Sequence, residues 1–378
     1  MNKNLLSICL KGQIGRGGFS RIYSCVEHLD SDGSCIDVKK TSSKQLKAVK
    51  CIPNSTISGP LCMFECALMS KFRHSSLNWA SNIGFTVDKV YIVQDLAISD
   101  LYEWRKTKFT SNERSFELIQ MWSSQIVLGI DYLHSGLVLH GDIKAANVLL
   151  FQDMTCKLTD FTLSIRIDWI SDTSKTSVCT TSHRPLEVWM GQPWDLGVDI
   201  WAFGCLLHEL YFGIAPFTSS KDKHPTRDEM ITKIKSFDVS LKSDDCSITT
   251  DQLSNLKAIL QVDPKLRPTA RDLRRLICNG KMTGETEFEV YKRQTEHGRP
   301  KIPSSLGPGL PEHLIWALFD MIRDIKDMKD SDKIKTGAFI YSKMIHGTTI
   351  AKGFLENVEK WITFERRVLK HVKFDIPL

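Results

Sequence analysis

The sequence predicts an α+β chain: a small strand-rich portion first, a larger helical portion after it, and a small all-α segment at the end. Three observations carry this. Short β-branched and apolar runs crowd residues 10 to 95, helical periodicity takes over from Phe116, and a polar stretch with repeated Gly and Pro, residues 281–310, sets off the last helical stripes. The 42% hydrophobic and 25% charged composition is that of an ordinary globular protein.

The elements follow in order. Ile22–Val26 and Leu46–Lys50 read as strands, with a polar, turn-rich insert from Asp30 to Ser43 between them. Residues 60 to 73 read as a helix with Leu61, Phe64, Leu68 and Phe72 on one face, and Val90–Val93 as another buried strand. Leu118, Met121, Trp122, Ile126, Ile130 and Leu133 then recur at helical spacing, and Asp199 to Cys205 begins a strongly apolar helix. A strand-rich lobe followed by a helical one implies a cleft, where a small ligand is usually held. Past the linker come three helical stripes: Leu314, Leu318, Met321 and Ile325; Ala338, Tyr341 and Ile345; Trp361, Phe364, Val368 and Val372.

Several function classes are set aside by composition. A net charge of +6 without a concentrated basic patch argues against nucleic acid as a partner. No apolar run approaches the roughly 18 residues needed to span a bilayer, so no membrane is expected. The apolar stretch near Met1 is too short for a signal peptide, which points to an intracellular chain, cytoplasmic or nuclear. The 11 cysteines are scattered without a CxxC pair, and Cys62 with Cys66 lacks the second pair a zinc site needs. Reduced thiols are the expectation.

The chemistry lies in four motifs. His140-Gly141-Asp142-Ile143-Lys144-Ala145-Ala146-Asn147 places three polar functional groups in an apolar stretch, and Asp160-Phe161 follows. Upstream stand Gly15-Arg16-Gly17-Gly18-Phe19-Ser20 and Ala48-Val49-Lys50, with Glu65 further on. Transfer of a γ-phosphoryl group needs positioning and charge neutralisation more than covalent chemistry, and these are its parts in the right order. Alone, glycines in a hairpin are turn residues, and a lysine ending a strand is a snorkelling surface residue. Together they change the reading.

Residues of roughly 10 to 280 thus resemble a eukaryotic-type serine/threonine protein kinase domain. The resemblance implies a bilobal fold with a small β-rich N-lobe and a larger helical C-lobe, ATP and Mg as cofactors, and a protein substrate. It implies that Gly15 and Gly17 close over the phosphates and that Ile14, Ile22 and Ala48 cover the purine. Leu149 would form the floor, with Asp95 and Ala97 in the hinge. Lys50, paired with Glu65, would reach the α and β phosphates. Asp142 would be the catalytic base, Lys144 the stabiliser of the transferring group, and Asn147 and Asp160 the metal ligands. Thr180 matches the threonine that marks serine/threonine specificity, and Glu187 and Arg267 match a structural ion pair.

The chain departs from the family pattern at several places. Gly141 stands where an arginine usually receives an activation-loop phosphate, Thr162 stands for the glycine after Asp-Phe, and Ser20 for the third loop glycine. Gln94 occupies the gatekeeper place. These departures keep open a second reading, a kinase-fold scaffold without catalysis. Residues 1–280 are read as the kinase domain, 281–310 as a linker, and 311–378 as helical. That last segment resembles part of a cyclin box through Ala338–Lys343 and Phe364–Pro377, which implies a cyclin or kinase partner. Such a fusion would point to a large DNA virus as source.

Overall fold

In the computed structural model, the described residues are 7–17, 20–28, 46–53, 62, 65–66, 68–69, 73–85, 89–108, 115–167, 173–175, 178–218, 225–239, 248–278 and 329. They belong to two compact units; His74–Asn78 already belong to the second, and the chain passes to it again between Leu96 and Ala97, inside the segment read as the hinge. The insert 30–43, the linker 281–310 and, but for Lys329, the helical stripes of 311–378 lie outside the described residues.

The first unit is an antiparallel sheet of β1 (Ser7–Arg16), β2 (Arg21–His28), β3 (Leu46–Pro53), β4 (Asn82–Phe85) and β5 (Lys89–Asp95), in the order β1-β2-β3-β5-β4. Side chains alternate across a strand. Cys25, Val49, Cys51 and Val93, with Tyr23 and Tyr91 against them, therefore pack together on one face. Ile22, Ala48 and Lys50 fall on the other, where Ile22 pairs in register with Lys50. Cys62, Glu65, Cys66, Leu68 and Met69 are helical, as the spacing predicts for this stretch. Leu61, Phe64 and Phe72, from the same expected apolar face, lie outside the described residues.

The second unit is mainly helical. It begins with β6 (Ser99–Asp100) and α1 (Leu101–Lys108), followed by α2 (Phe116–Ser135). Ser115 caps α2 by accepting from the Leu118 amide, which satisfies one of the donors left over at a helix start. Trp122, Ile126, Ile130 and Leu133 of α2 are buried, as their spacing foretells. Next come four short strands: β7 (Val138–Leu139), β8 (Val148–Leu150), β9 (Cys156–Leu158) and β10 (Ile165–Arg166). β6, β8 and β9 make one small sheet, and β7 and β10 another.

The remaining helices are α3 (Leu186–Met190), α4 (Gly197–Phe212), α5 (Arg227–Lys235), α6 (Thr250–Ile259) and α7 (Ala270–Ile277). Every residue of α4 from Val198 to Tyr211 is buried. A helix buried on all sides has no solvent face, so α4 lies in the interior of this unit. The surface helices α5, α6 and α7 each open on a threonine capping box, at Thr226, Thr249 and Thr269.

Candidate active site

In the sheet unit, Lys50 and Glu65 meet. Lys50 Nζ lies 2.7 Å from Glu65 Oε1, and both side chains are buried. A buried ion pair fixes the lysine's direction in a way a snorkelling lysine is not fixed. Gly15 pairs with Ile22 across β1 and β2, and Gly17 N donates to Ser20 O, closing the turn between the strands. Ile14 is exposed and Ile22 partly buried. Asp95, at the end of β5, forms a 2.7 Å ion pair with Lys47, and Ala97 opens the second unit.

In the helical unit, a tight turn gathers the other candidates. The 3-10 turn Ala145–Asn147 folds the segment after Asp142 back on itself. Both oxygens of the Asp142 carboxylate are then engaged. Oδ1 accepts from the Thr180 amide at 3.1 Å and the Thr180 hydroxyl at 2.6 Å. Oδ2 accepts from Lys144 Nζ at 2.7 Å and Asn147 Nδ2 at 2.9 Å. Lys144 Nζ also donates to Thr180 Oγ1 at 2.8 Å, closing a ring of three side chains. Burial alone would raise the Asp142 carboxyl. The Lys144 charge and the hydrogen bonds from Lys144 and Thr180 outweigh it and hold the group below the ordinary carboxylate range.

Asp160 stands beside this ring. Strands β8 and β9 pair Val148 with Leu158, and Thr159 N donates to Asn147 O, so Asn147 lies against the residue that precedes Asp160. Asp160 has φ of +62° and begins the 3-10 turn Phe161–Leu163. Phe161 is buried with its ring 5.2 Å from that of His140, which pins the turn. Asn147 Nδ2 is spent on Asp142 O and Oδ2, so its carbonyl oxygen is the atom it can offer a cation. An amide oxygen and a carboxylate are hard donors, and that chemistry fits magnesium. Leu149 is partly buried on β8.

The segment that delivers Thr180 is held by packing and by a buried ion pair. Val178 and Cys179 pack with Leu139, Trp194 and Val198 in one buried cluster. Cys179 N donates to Gly141 O, which ties the segment to the turn that carries Asp142. Arg267 holds Glu187 with two hydrogen bonds of 2.6 and 2.9 Å, and its other donors go to the carbonyls of Gly197, Gln261 and Val262. With all its donors satisfied, the buried guanidinium has no unmet hydrogen bond.

With this geometry in view, comparison with known proteins decides the family. The family described as protein kinase domain matches residues 9–276. The chain belongs to that family. It is 26% identical over 284 residues to serine/threonine-protein kinase fused of Drosophila melanogaster, covering 74% of this chain and 32% of that protein. It is 27% identical over 273 residues to serine/threonine-protein kinase PLK1 of Xenopus tropicalis, covering 70% of this chain and 41% of that one. An Aurora kinase of Debaryomyces hansenii is 29% identical over 262 residues, covering 69% of this chain and 59% of the relative. The matched part of this kinase-family chain thus spans less than two thirds of each relative. The cyclin likeness of 311–378, and the viral source that went with it, find no support in these matches.

The sequence reading missed three members of the site. Asp199 accepts from the amides of His140 and Gly141 at 2.7 and 2.9 Å, and His134 Nε2 lies 2.9 Å from the same carboxylate. An acid in the first turn of a strongly apolar helix was the available signal for Asp199. His134 gave none. His183, buried behind Thr180, is pushed down to about 4 by burial, with Asp142 opposing and Lys144 adding to the effect. A histidine in a polar loop has no pattern that announces burial.

Proposed function

We propose that this chain is a serine/threonine protein kinase that transfers the γ-phosphoryl group of Mg-ATP to a protein hydroxyl. The observation that carries the reading is the ring of Asp142, Lys144 and Thr180. Asp142, held ionised, is the group that accepts the proton of the attacking hydroxyl. Lys144 sits on the same carboxylate, where its charge counters the charge on the transferred group. Thr180 fixes both, and its place in the ring supports serine/threonine rather than tyrosine acceptors. Lys50, aimed by Glu65, pairs with the α and β phosphates, and Gly15 and Gly17 form the cover above them. Ile14, Ile22, Ala48 and Leu149 enclose the purine, and Asp95 and Ala97 border it. Asn147 and Asp160 hold magnesium, which neutralises phosphate charge during transfer.

The test is incubation of the purified chain with Mg, labelled ATP and a generic basic protein. Label on serine or threonine, lost in Asp142→Asn, supports the reading. Nucleotide binding without transfer would favour the scaffold alternative, which the replacements at Gly141 and Thr162 keep in view.

Residues 1–280 form the kinase domain in this reading, followed by the linker 281–310. A cyclin or kinase partner is assigned to residues 311–378. Sequence pattern alone supports that partner, and comparison of co-purifying proteins with and without residues 300–378 tests it. Intracellular placement is supported by the cysteines: among the described cysteine side chains no disulfide is formed. Among the described residues, no helix is long and apolar enough to cross a membrane.

A further inference from the structure

Thr162 takes the place where the family carries glycine. The sequence pattern indicates a lost freedom of the backbone; the structure shows a new hydrogen bond. Thr162 Oγ1 donates to Asp160 Oδ1 at 2.6 Å. That length lies in the range for a hydroxyl on an ionised carboxylate, which is stronger than a neutral hydrogen bond. The hydroxyl is not delivered by a loose loop. Thr162 sits in the middle of the 3-10 turn Phe161–Leu163, which is closed by Ser164 N donating to Phe161 O at 3.1 Å. Phe161 is buried on one side of it, and Ser164 Oγ donates to His140 O on the other. Glycine at this position offers no such donor.

We propose that Thr162 is a positioning residue for the metal site: its hydroxyl fixes the plane of the Asp160 carboxylate and so raises the chain's affinity for magnesium. The inference rests on the reading of Asp160 as a magnesium ligand. A group that orients a metal ligand without touching the metal typically changes metal affinity by about 10- to 100-fold. The hydroxyl is therefore an added component of this site, and the backbone freedom that glycine would give is exchanged for a fixed ligand.

The experiment uses the full chain and a fluorescent ATP analogue, with binding followed as magnesium is raised from zero. Wild type, Thr162→Val, Thr162→Ser, Thr162→Gly and Asp160→Asn are compared. Thr162→Val keeps the side-chain shape and removes the donor. It is expected to need about tenfold more magnesium for half-maximal binding, or more. Its affinity for the analogue in EDTA should equal that of wild type, and Thr162→Ser should restore the wild-type magnesium requirement. A requirement in Thr162→Val within about twofold of wild type overturns the proposal, as does a serine variant as weak as valine. A loss of the same size in EDTA overturns it too, because the role would then be structural. If Thr162→Val does not fold, glycine against serine makes the same comparison. Wild-type binding that ignores magnesium, or Asp160→Asn that responds like wild type, removes the underlying reading of Asp160 and this inference with it.

Discussion

Replacing Gly141 by alanine tests the reading of the catalytic turn most directly. Gly141 has φ of +79°, and a Cβ built there would run into the carbonyl oxygen of Leu163. Two costs add. The left-handed backbone costs a non-glycine residue about 1–2 kcal/mol. The obstructing atom is backbone, so it cannot swing aside as a flexible side chain would, and overpacking of this kind costs about 1–3 kcal/mol more. Gly191 supplies the control, since its φ is +64° and nothing lies within 4 Å of its added Cβ. Gly191→Ala should therefore lose only the backbone part. At about 2–4 °C per kcal/mol for a domain of this size, Gly141→Ala should lower the melting temperature by roughly 4–20 °C, and Gly191→Ala by clearly less. Scanning fluorimetry or circular dichroism reads both. Activity should fall as well, because Gly141 N donates to Asp199 and Gly141 O accepts from Cys179. Equal melting shifts for the two variants would refute the claim that the Leu163 carbonyl crowds this position.

Three further outcomes are expected. Lys50→Met should reduce phosphoryl transfer by about 100-fold or more with a small change in melting temperature, and Glu65→Gln should reduce it in the same direction; unchanged turnover in Glu65→Gln would reduce Lys50 to a strand-end lysine. His183 carries a folded-state value of about 4 against an ordinary 6.5, so its contribution to stability is intact above 6.5 and is lost as pH falls toward 4. Between pH 7 and 4.5 that loss is about 2–3 kcal/mol, and urea titrations should show it shrinking in His183→Gln relative to wild type; an identical acid loss in both would refute it. Phosphatase treatment should change the initial rate less than about tenfold, because Gly141 offers no side chain to receive a phosphate and the Thr180 segment is held by its own buried cluster. Arg184 is engaged with the carbonyls of Val178 and Cys179 inside that segment. A larger drop, reversed on re-phosphorylation, would show that another cation does the receiving.

Much of the site is legible in sequence because its parts are local. The spacing from Asp142 to Asn147 fits one tight turn, and Asp160 lies at the end of the β8–β9 hairpin that starts at the same turn. Alternation along β3 is enough to place Ala48 and Lys50 on one face, since every second side chain of a strand points the same way. Helix α2 is readable because one apolar stripe meets one core, and α4 because its run from Ile200 to Leu207 carries no polar side chain.

What sequence could not decide depends on groups far apart in the chain. Asp199 braces Gly141 across 58 residues, and the contact of Thr180 with Asp142, across 38, was to be expected only through the family resemblance. Gly141 and Thr162 show the difference most clearly. In sequence each is a departure that subtracts something, an arginine at one place and a glycine at the other. In the structure Gly141 is the residue whose missing Cβ leaves room for the Leu163 carbonyl, and Thr162 adds a hydroxyl to Asp160. The sequence by itself determined which chemical groups the chain carries and how local turns present them. Only tertiary structure decided which backbone and side-chain atoms arrive beside those groups, because close approach and hydrogen bonding act over a few ångströms in space, whatever the distance along the chain.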